Sequence, residues 1–129
     1  MRTLRVGIAS YEQMKARTVA IARGEYKPAA GEPKVWFASA ESFARVLSDR
    51  NRALLRIIAE SSPDSLARLA ELTGRQKSNL SRTLKTMERY GFVQLNRGAR
   101  GSVIPRVPYQ QVSLTLPLSK PGLEGTEAA

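Results

Sequence analysis

TGRQKSNLSRTLKTMERYGFV, residues 73–93, predicts a helix from about Lys77 to Tyr90 with two unlike sides. Leu80, Leu84 and Met87 recur at i, i+4 and i+7, the spacing that brings side chains onto one buried face. Ser78, Arg82, Lys85 and Arg89 then share the opposite face, which is polar, cationic and free of bulky apolar groups. Gly91 stands where a helix end calls for a left-handed backbone, and the β-prone residues Phe92 to Leu95 leave as a strand. An exposed stripe of guanidinium, ammonium, hydroxyl and amide groups is what major-groove reading requires. Arg pairs bidentately with guanine, Asn with adenine, and Ser or Lys holds phosphates. On an isolated helix the same stripe would be a solvated surface, so the flanking chain has to weigh between the two.

Upstream, Ser61-Ser62-Pro63 precedes a cap at Asp64 or Ser65 and a helix carrying Leu66, Leu69, Ala70 and Leu72, with Thr73-Gly74-Arg75 as the turn. A short helix, a turn of roughly three to four residues containing Gly, and a longer helix with a polar outer face make a helix-turn-helix. Downstream, Phe92–Arg97 and Ser102–Val107 are two β-leaning runs around Gly98-Ala99-Arg100-Gly101. Gly at both ends of that loop suits a hairpin needing positive φ, with Arg97 and Arg100 at its tip. Such a wing can enter a minor groove or grip phosphates; the bland alternative is charge protecting an exposed edge.

The net charge of +10, with a pI near 10.7, calls for a polyanionic partner, and its distribution matters more than its size. From Arg75 to Arg106 there are eight basic residues (Arg75, Lys77, Arg82, Lys85, Arg89, Arg97, Arg100, Arg106) against one acid, Glu88. Positive charge is concentrated on the stretch that helical periodicity singles out.

Toward the N-terminus, Leu4, Val6 and Ile8 alternate with Arg5 and Gly7 as a short half-buried strand over Thr3–Ile8. Ser10 and Gln13 fit a capping box that opens a helix to about Arg23, with Tyr11, Met14, Thr18 and Ile21 on one side and Gly24 ending it. Glu25 to Pro33 reads as a linker. Residues 1–33 are therefore expected to form a strand-helix arm, and residues 34–118 the main domain. Lys34–Phe37 is β-prone; Trp36, the sole Trp, is expected to anchor the arm or a dimer contact by burying area. Ser39 caps a short helix with Phe43, Val46 and Leu47, and Ser48-Asp49 caps the next, with Leu54, Leu55, Ile57 and Ile58 as its apolar stripe. Val112, Leu114 and Leu116 alternate in a last strand, which is expected to pair with Leu4-Val6-Ile8, within one chain or across a dimer. Residues 119–129 are polar and aperiodic, a disordered tail.

A chain of 129 residues, 42% hydrophobic and 25% charged, suits one globular domain with an appended arm. No apolar run or signal core argues for membrane or secretion, so a cytoplasmic place without a membrane partner is expected. With no Cys and no His, disulfides, thiol nucleophiles and the usual zinc sets are excluded and the commonest general base is missing. No metal, cofactor or catalytic residue is expected, and the chain is read as a non-enzyme.

The stretches KVWFASAESFARVLSDRNRALLRIIAE, SLARLAELTGRQKSNLSRTLKTMERYGFVQL and IPRVPY together resemble the MarR-like winged helix-turn-helix proteins. More narrowly, they resemble the DNA-binding proteins encoded beside TumE-type toxins. The resemblance covers about Lys34–Leu118 and extends to the arm. It implies an α+β fold, mainly helical with a β-hairpin wing. It also implies a homodimeric transcriptional regulator that binds double-stranded operator DNA, acting as the autorepressing antitoxin of a type II toxin-antitoxin system. By the same resemblance, Lys77, Ser78, Asn79 and Arg82 face bases and backbone, with Arg97 and Arg100 on the wing. The expected DNA-binding set is Arg75, Gln76, Lys77, Ser78, Asn79, Ser81, Arg82, Lys85, Arg89, Arg97 and Arg100. A toxin would be held by the arm or the last strand. Two other functions compete: a module that chiefly neutralises a toxin, and a basic winged helix that binds RNA. Unpaired RNA is usually read by exposed aromatics, and here Tyr90 and Phe92 are assigned to packing.

Overall fold

Serine residues start most of the helices. The computed structural model describes residues 2–118 and runs β1 (Thr3–Ile8), α1 (Tyr11–Ala22), β2 (Val35–Phe37), α2 (Ala40–Val46), α3 (Asp49–Ser61), α4 (Leu66–Thr73), α5 (Lys77–Arg89), β3 (Gln94–Arg97), β4 (Val103–Arg106) and β5 (Gln111–Thr115). It is a mixed α+β fold of helices and two small sheets. The expected tail at 119–129 lies outside the described residues. Ser10, Ser39, Ser48 and Ser65 each accept a backbone N–H of the first turn, and Ser10 with Gln13 completes the expected capping box.

The larger sheet has the order β2-β1-β5, with both neighbours parallel to β1. Leu4 faces Val112 and Val6 faces Leu114, so the first and last strands pair within one chain. Strand β1 is central, and Leu4 and Val6 are buried in the same cluster as Leu54, Ile58, Leu69, Leu80, Leu84 and Met87. Residues 1–33 are expected as an arm and residues 34–118 as the main domain, and β1 of the arm contributes Leu4 and Val6 to the core cluster. Alternation shows that a strand is half-buried; it does not show against what.

Helix α1 differs from expectation. Met14, Arg17, Ala20 and Ile21 are its half-covered side, whereas Tyr11 is 78% exposed and Thr18 is turned out, its hydroxyl donating to the Met14 carbonyl at 2.9 Å. None of its residues is fully buried. The helix covers the sheet with a mixed surface, centred on an Arg, that a search for apolar residues overlooks. Trp36 lies beside Gly7, where an added Cβ would come within 2.6 Å of the indole, and the Arg17 guanidinium sits 5.4 Å from the Trp36 ring centre. Across the sheet, Phe37 stacks on Tyr90 at 4.1 Å and meets Phe43 edge-on at 5.4 Å, which fastens the sheet to the end of α5.

Candidate nucleic-acid interface

Gly74 ends α4 in the left-handed region at φ +74°, and the chain turns through Arg75 and Gln76 into α5. Leu80, Leu84 and Met87 are completely buried, which fixes the rotation of α5 about its axis. Ser78, Arg82, Lys85 and Arg89 are accordingly all exposed on the far side, joined at the first turn by Gln76 and Lys77. By helical phase Lys77 lies nearer the buried face, but in the first turn it reaches solvent.

Three residues of the expected set are less free. Asn79 and Ser81 are half-buried, and the Asn79 amide oxygen is buried without a hydrogen-bond partner. Arg75 is half-buried too, and it donates from Nη2 to Asn51 Oδ1 of α3 at 3.1 Å. Burial, then the neighbouring Arg50 charge, pushes the Arg75 guanidinium below its usual value. Arg75 thus ties the turn to α3, and it brings into view a cation that periodicity did not select: Arg50, exposed in the first turn of α3, whose charge acts on Arg75. No sequence signal marked Arg50, because its nearness to Arg75 arises only when α3 and α4 pack.

Helix α5 also starts differently from the other α-helices. Gln76 at its N-cap makes no side-chain hydrogen bond to the first turn. The leading N–H groups of α5 therefore have no side-chain cap, and together with the helix dipole they present partial positive charge at the end that carries Lys77 and Ser78.

The hairpin of β3 and β4 is antiparallel, with Arg97 opposite Val103, and Arg97 and Arg100 are exposed at its tip. Its glycines play different parts from those expected. Gly101 has φ +74°, but the other left-handed residue is Arg100 at φ +58°. Gly98 is extended, and its role is room: a Cβ there would meet Ile104 Cδ1 and Ser102 Oγ at 2.6 Å. Arg106, counted among the basic residues, donates from Nη1 to the Pro63 carbonyl at 2.9 Å and so holds the hairpin to the α3–α4 connection.

Ion pairs leave these cations free. The salt bridges among the described residues are Arg17–Glu32, Arg52–Asp49 and Arg68–Glu71, and none includes a cation of α5 or of the hairpin. Lys77, Arg82, Lys85, Arg89, Arg97 and Arg100 form an exposed basic surface that no acid of the described chain neutralises. Among the described residues, no group of His, Cys, Asp and Glu side chains could hold a metal ion, and no helix is long and apolar enough to cross a membrane.

The model of one protein family, HVO_A0114, matches residues 46–114, from the end of α2 into β5. No curated protein and no solved structure matches the chain.

Proposed function

The chain belongs to the HVO_A0114 family, and from the surface carried by its matched segment we propose that it is a winged helix-turn-helix regulator that binds double-stranded DNA. In this reading α5 lies in the major groove. Arg82, with Ser78 beside it, meets base edges; Lys77, Lys85 and Arg89 meet phosphates; and the β3–β4 hairpin is the wing, with Arg97 and Arg100 on the neighbouring backbone or minor groove. Asn79 and Ser81 sit at the margin of that contact, and Arg75 supports it from α3. The uncapped start of α5 adds backbone N–H groups for a phosphate.

The observation that carries the reading is the gathering of six exposed, unpaired cations, Lys77, Arg82, Lys85, Arg89, Arg97 and Arg100, on α5 and the hairpin packed after it. In a chain at net charge +10 most cations stand outside salt bridges, and these six differ in sharing two consecutive elements on which Glu88 is the one acid. Phe92 is buried and Tyr90 half-buried, both engaged in the aromatic cluster, which favours duplex over single-stranded RNA: among the described residues no fully exposed aromatic lies on α5 or the hairpin. We further propose that the protein acts in the cytoplasm without catalysing a reaction. It would bind as a homodimer on a two-fold operator upstream of its own gene, as the antitoxin beside a TumE-like toxin. The antitoxin part rests on the resemblance over about Lys34–Leu118 and is tested by co-purification with the product of the adjacent gene.

The direct test titrates the full chain against the DNA upstream of its gene and against random duplex over a salt series. Preference for the upstream DNA that persists at physiological salt is the expected result. Equal affinity for both that disappears with salt would reduce the surface to nonspecific charge. Replacing Arg97 and Arg100 by Ala should flatten the salt dependence by about 0.9 in slope for each phosphate that is no longer neutralised. An unchanged slope would remove the hairpin from the interface.

A further inference from the structure

Strand β5 pairs with β1 on one side only, and among the described residues nothing pairs with its other side. Its Val112 and Leu114 share the core face with Leu4 and Val6; Val112 packs against the core, but Leu114 is left uncovered. A groove of about 830 Å³ runs between β5 and the flank of α3, lined by Leu55, Arg56, Ala59, Glu60, Val112 and Leu114. Leu114 is 37% exposed and Leu116, just beyond the strand, is 50% exposed. An open edge backed by exposed apolar side chains is a template for another strand.

We propose that a second copy of this chain occupies that edge, with β5 pairing antiparallel to β5 of its partner about Ser113 to make one continuous six-stranded sheet. Three features favour a second copy over another occupant. The strand is self-complementary about Ser113: pairing Ser113 with its own equivalent sets Val112 against Leu114 and Gln111 against Thr115, so that apolar meets apolar and polar meets polar. Residues 107–118, VPYQQVSLTLPL, contain no charged residue. Two chains of net charge +10 repel over most approaches, and this neutral edge lets them meet backbone to backbone. The groove wall also carries Arg56 and Glu60 one helical turn apart on α3. A two-fold operation runs the two α3 helices in opposite senses on the same face, so each Arg56 is matched to a Glu60 of the other chain.

This inference rests on the two-copy part of the proposed function but not on DNA, and it is measured on the free protein. Ser113 is exposed and lies on the opposite face from Val112 and Leu114, so Ser113→Lys and Ser113→Glu can be made without touching the core. Analytical ultracentrifugation of the wild-type full chain should show a reversible dimer. Each variant alone should raise the dimer Kd roughly tenfold by placing like charges opposite one another, and an equimolar mixture of the two should recover wild-type affinity. Circular dichroism of each variant checks that the fold is retained. Wild-type chain that stays monomeric at the highest soluble concentration overturns the proposal. So do charged variants that dimerise like wild type, or a mixture no tighter than its components. Failure of operator binding by a chain that passes these tests would count against the DNA reading alone.

Discussion

From α1 to β2, the cation that faces the protein is held from several sides. Arg17 bonds Glu32 at 2.9 Å, lies over Trp36 and Tyr26, and shares Glu32 with the Tyr26 hydroxyl and the Ala29 N–H. From α4 to the hairpin the arrangement is inverted. A fully apolar inner face fixes α5, and Arg82, Lys85, Arg97 and Arg100 have no acid partner among the described residues. The first region uses charge to stand in for a missing apolar core, since no residue of α1 is fully buried. The second is held by hydrophobic burial, which leaves its charges free to act on something else.

The contrast can be broken most severely at Leu84, which is completely buried. Leu84→Ala should lower unfolding free energy by about 2–5 kcal/mol, through the smaller apolar area buried and a residual cavity. Denaturant titration reads this directly, and a loss below about 1 kcal/mol would mean that α5 is not held by its inner face. Arg82→Ala should leave stability within about 0.5 kcal/mol while weakening operator binding by roughly 1–3 kcal/mol and relaxing preference at one base position. Equal weakening on random duplex would assign Arg82 to phosphate instead.

At the other end, Glu32→Gln should cost about 1 kcal/mol, because a charge-assisted network becomes a neutral one. Its pH dependence has a definite sign. The Tyr26 hydroxyl, then the Ala29 N–H and Arg17, hold the Glu32 carboxyl below the usual carboxylate range. A lowered folded pKa gives stability that is complete above the ordinary value of about 4.3 and is lost as pH falls through the folded one. Acid titration should therefore close the gap between wild type and Glu32→Gln. The Tyr26 phenol is pushed up by the same contact, so its contribution holds below the ordinary value of about 10 and fades as pH rises beyond it. A gap unchanged between neutral pH and strong acid would show that the carboxylate charge does not stabilise this region. The smallest effect is expected at Tyr11, which is 78% exposed: Tyr11→Ser should shift stability by less than about 0.5 kcal/mol, and a larger loss by the same titration would reveal a contact on the outer side of α1.

Much of this division is legible in the residues themselves. The bounds of β1, the serine caps and the outward residues of α5 follow from period-2 and period-3.6 patterns that act over a few positions. What stays hidden depends on elements meeting. Arg75 reads as a free cation in the chain, and only packing of α3 against the α4–α5 turn brings Asn51 to it. Arg106 looks the same in sequence until the hairpin docks on Pro63. Gly98 reads as a carrier of the positive φ that Arg100 in fact adopts, because the need for space beside Ile104 is set by side-chain packing across the hairpin. On α1 the spacing selects Met14 and Ile21, which are on the covered side, together with Tyr11 and Thr18, which are not, because that side is centred on an Arg whose partners lie in the linker and β2.

The parallel pairing of β1 with β5 also orders events during synthesis. Arg2 and Gln110, joined by a backbone hydrogen bond of 2.9 Å, are 108 positions apart, so β1 is made long before its partner exists. The helices from α2 to α5 touch near neighbours in the chain and can assemble as they emerge, since local contacts form fastest. Strand β1 is thus among the last of these elements to gain its full set of neighbours. In the interval Leu4 and Val6, which end up sealed in the core, are open to chaperones and to other nascent chains.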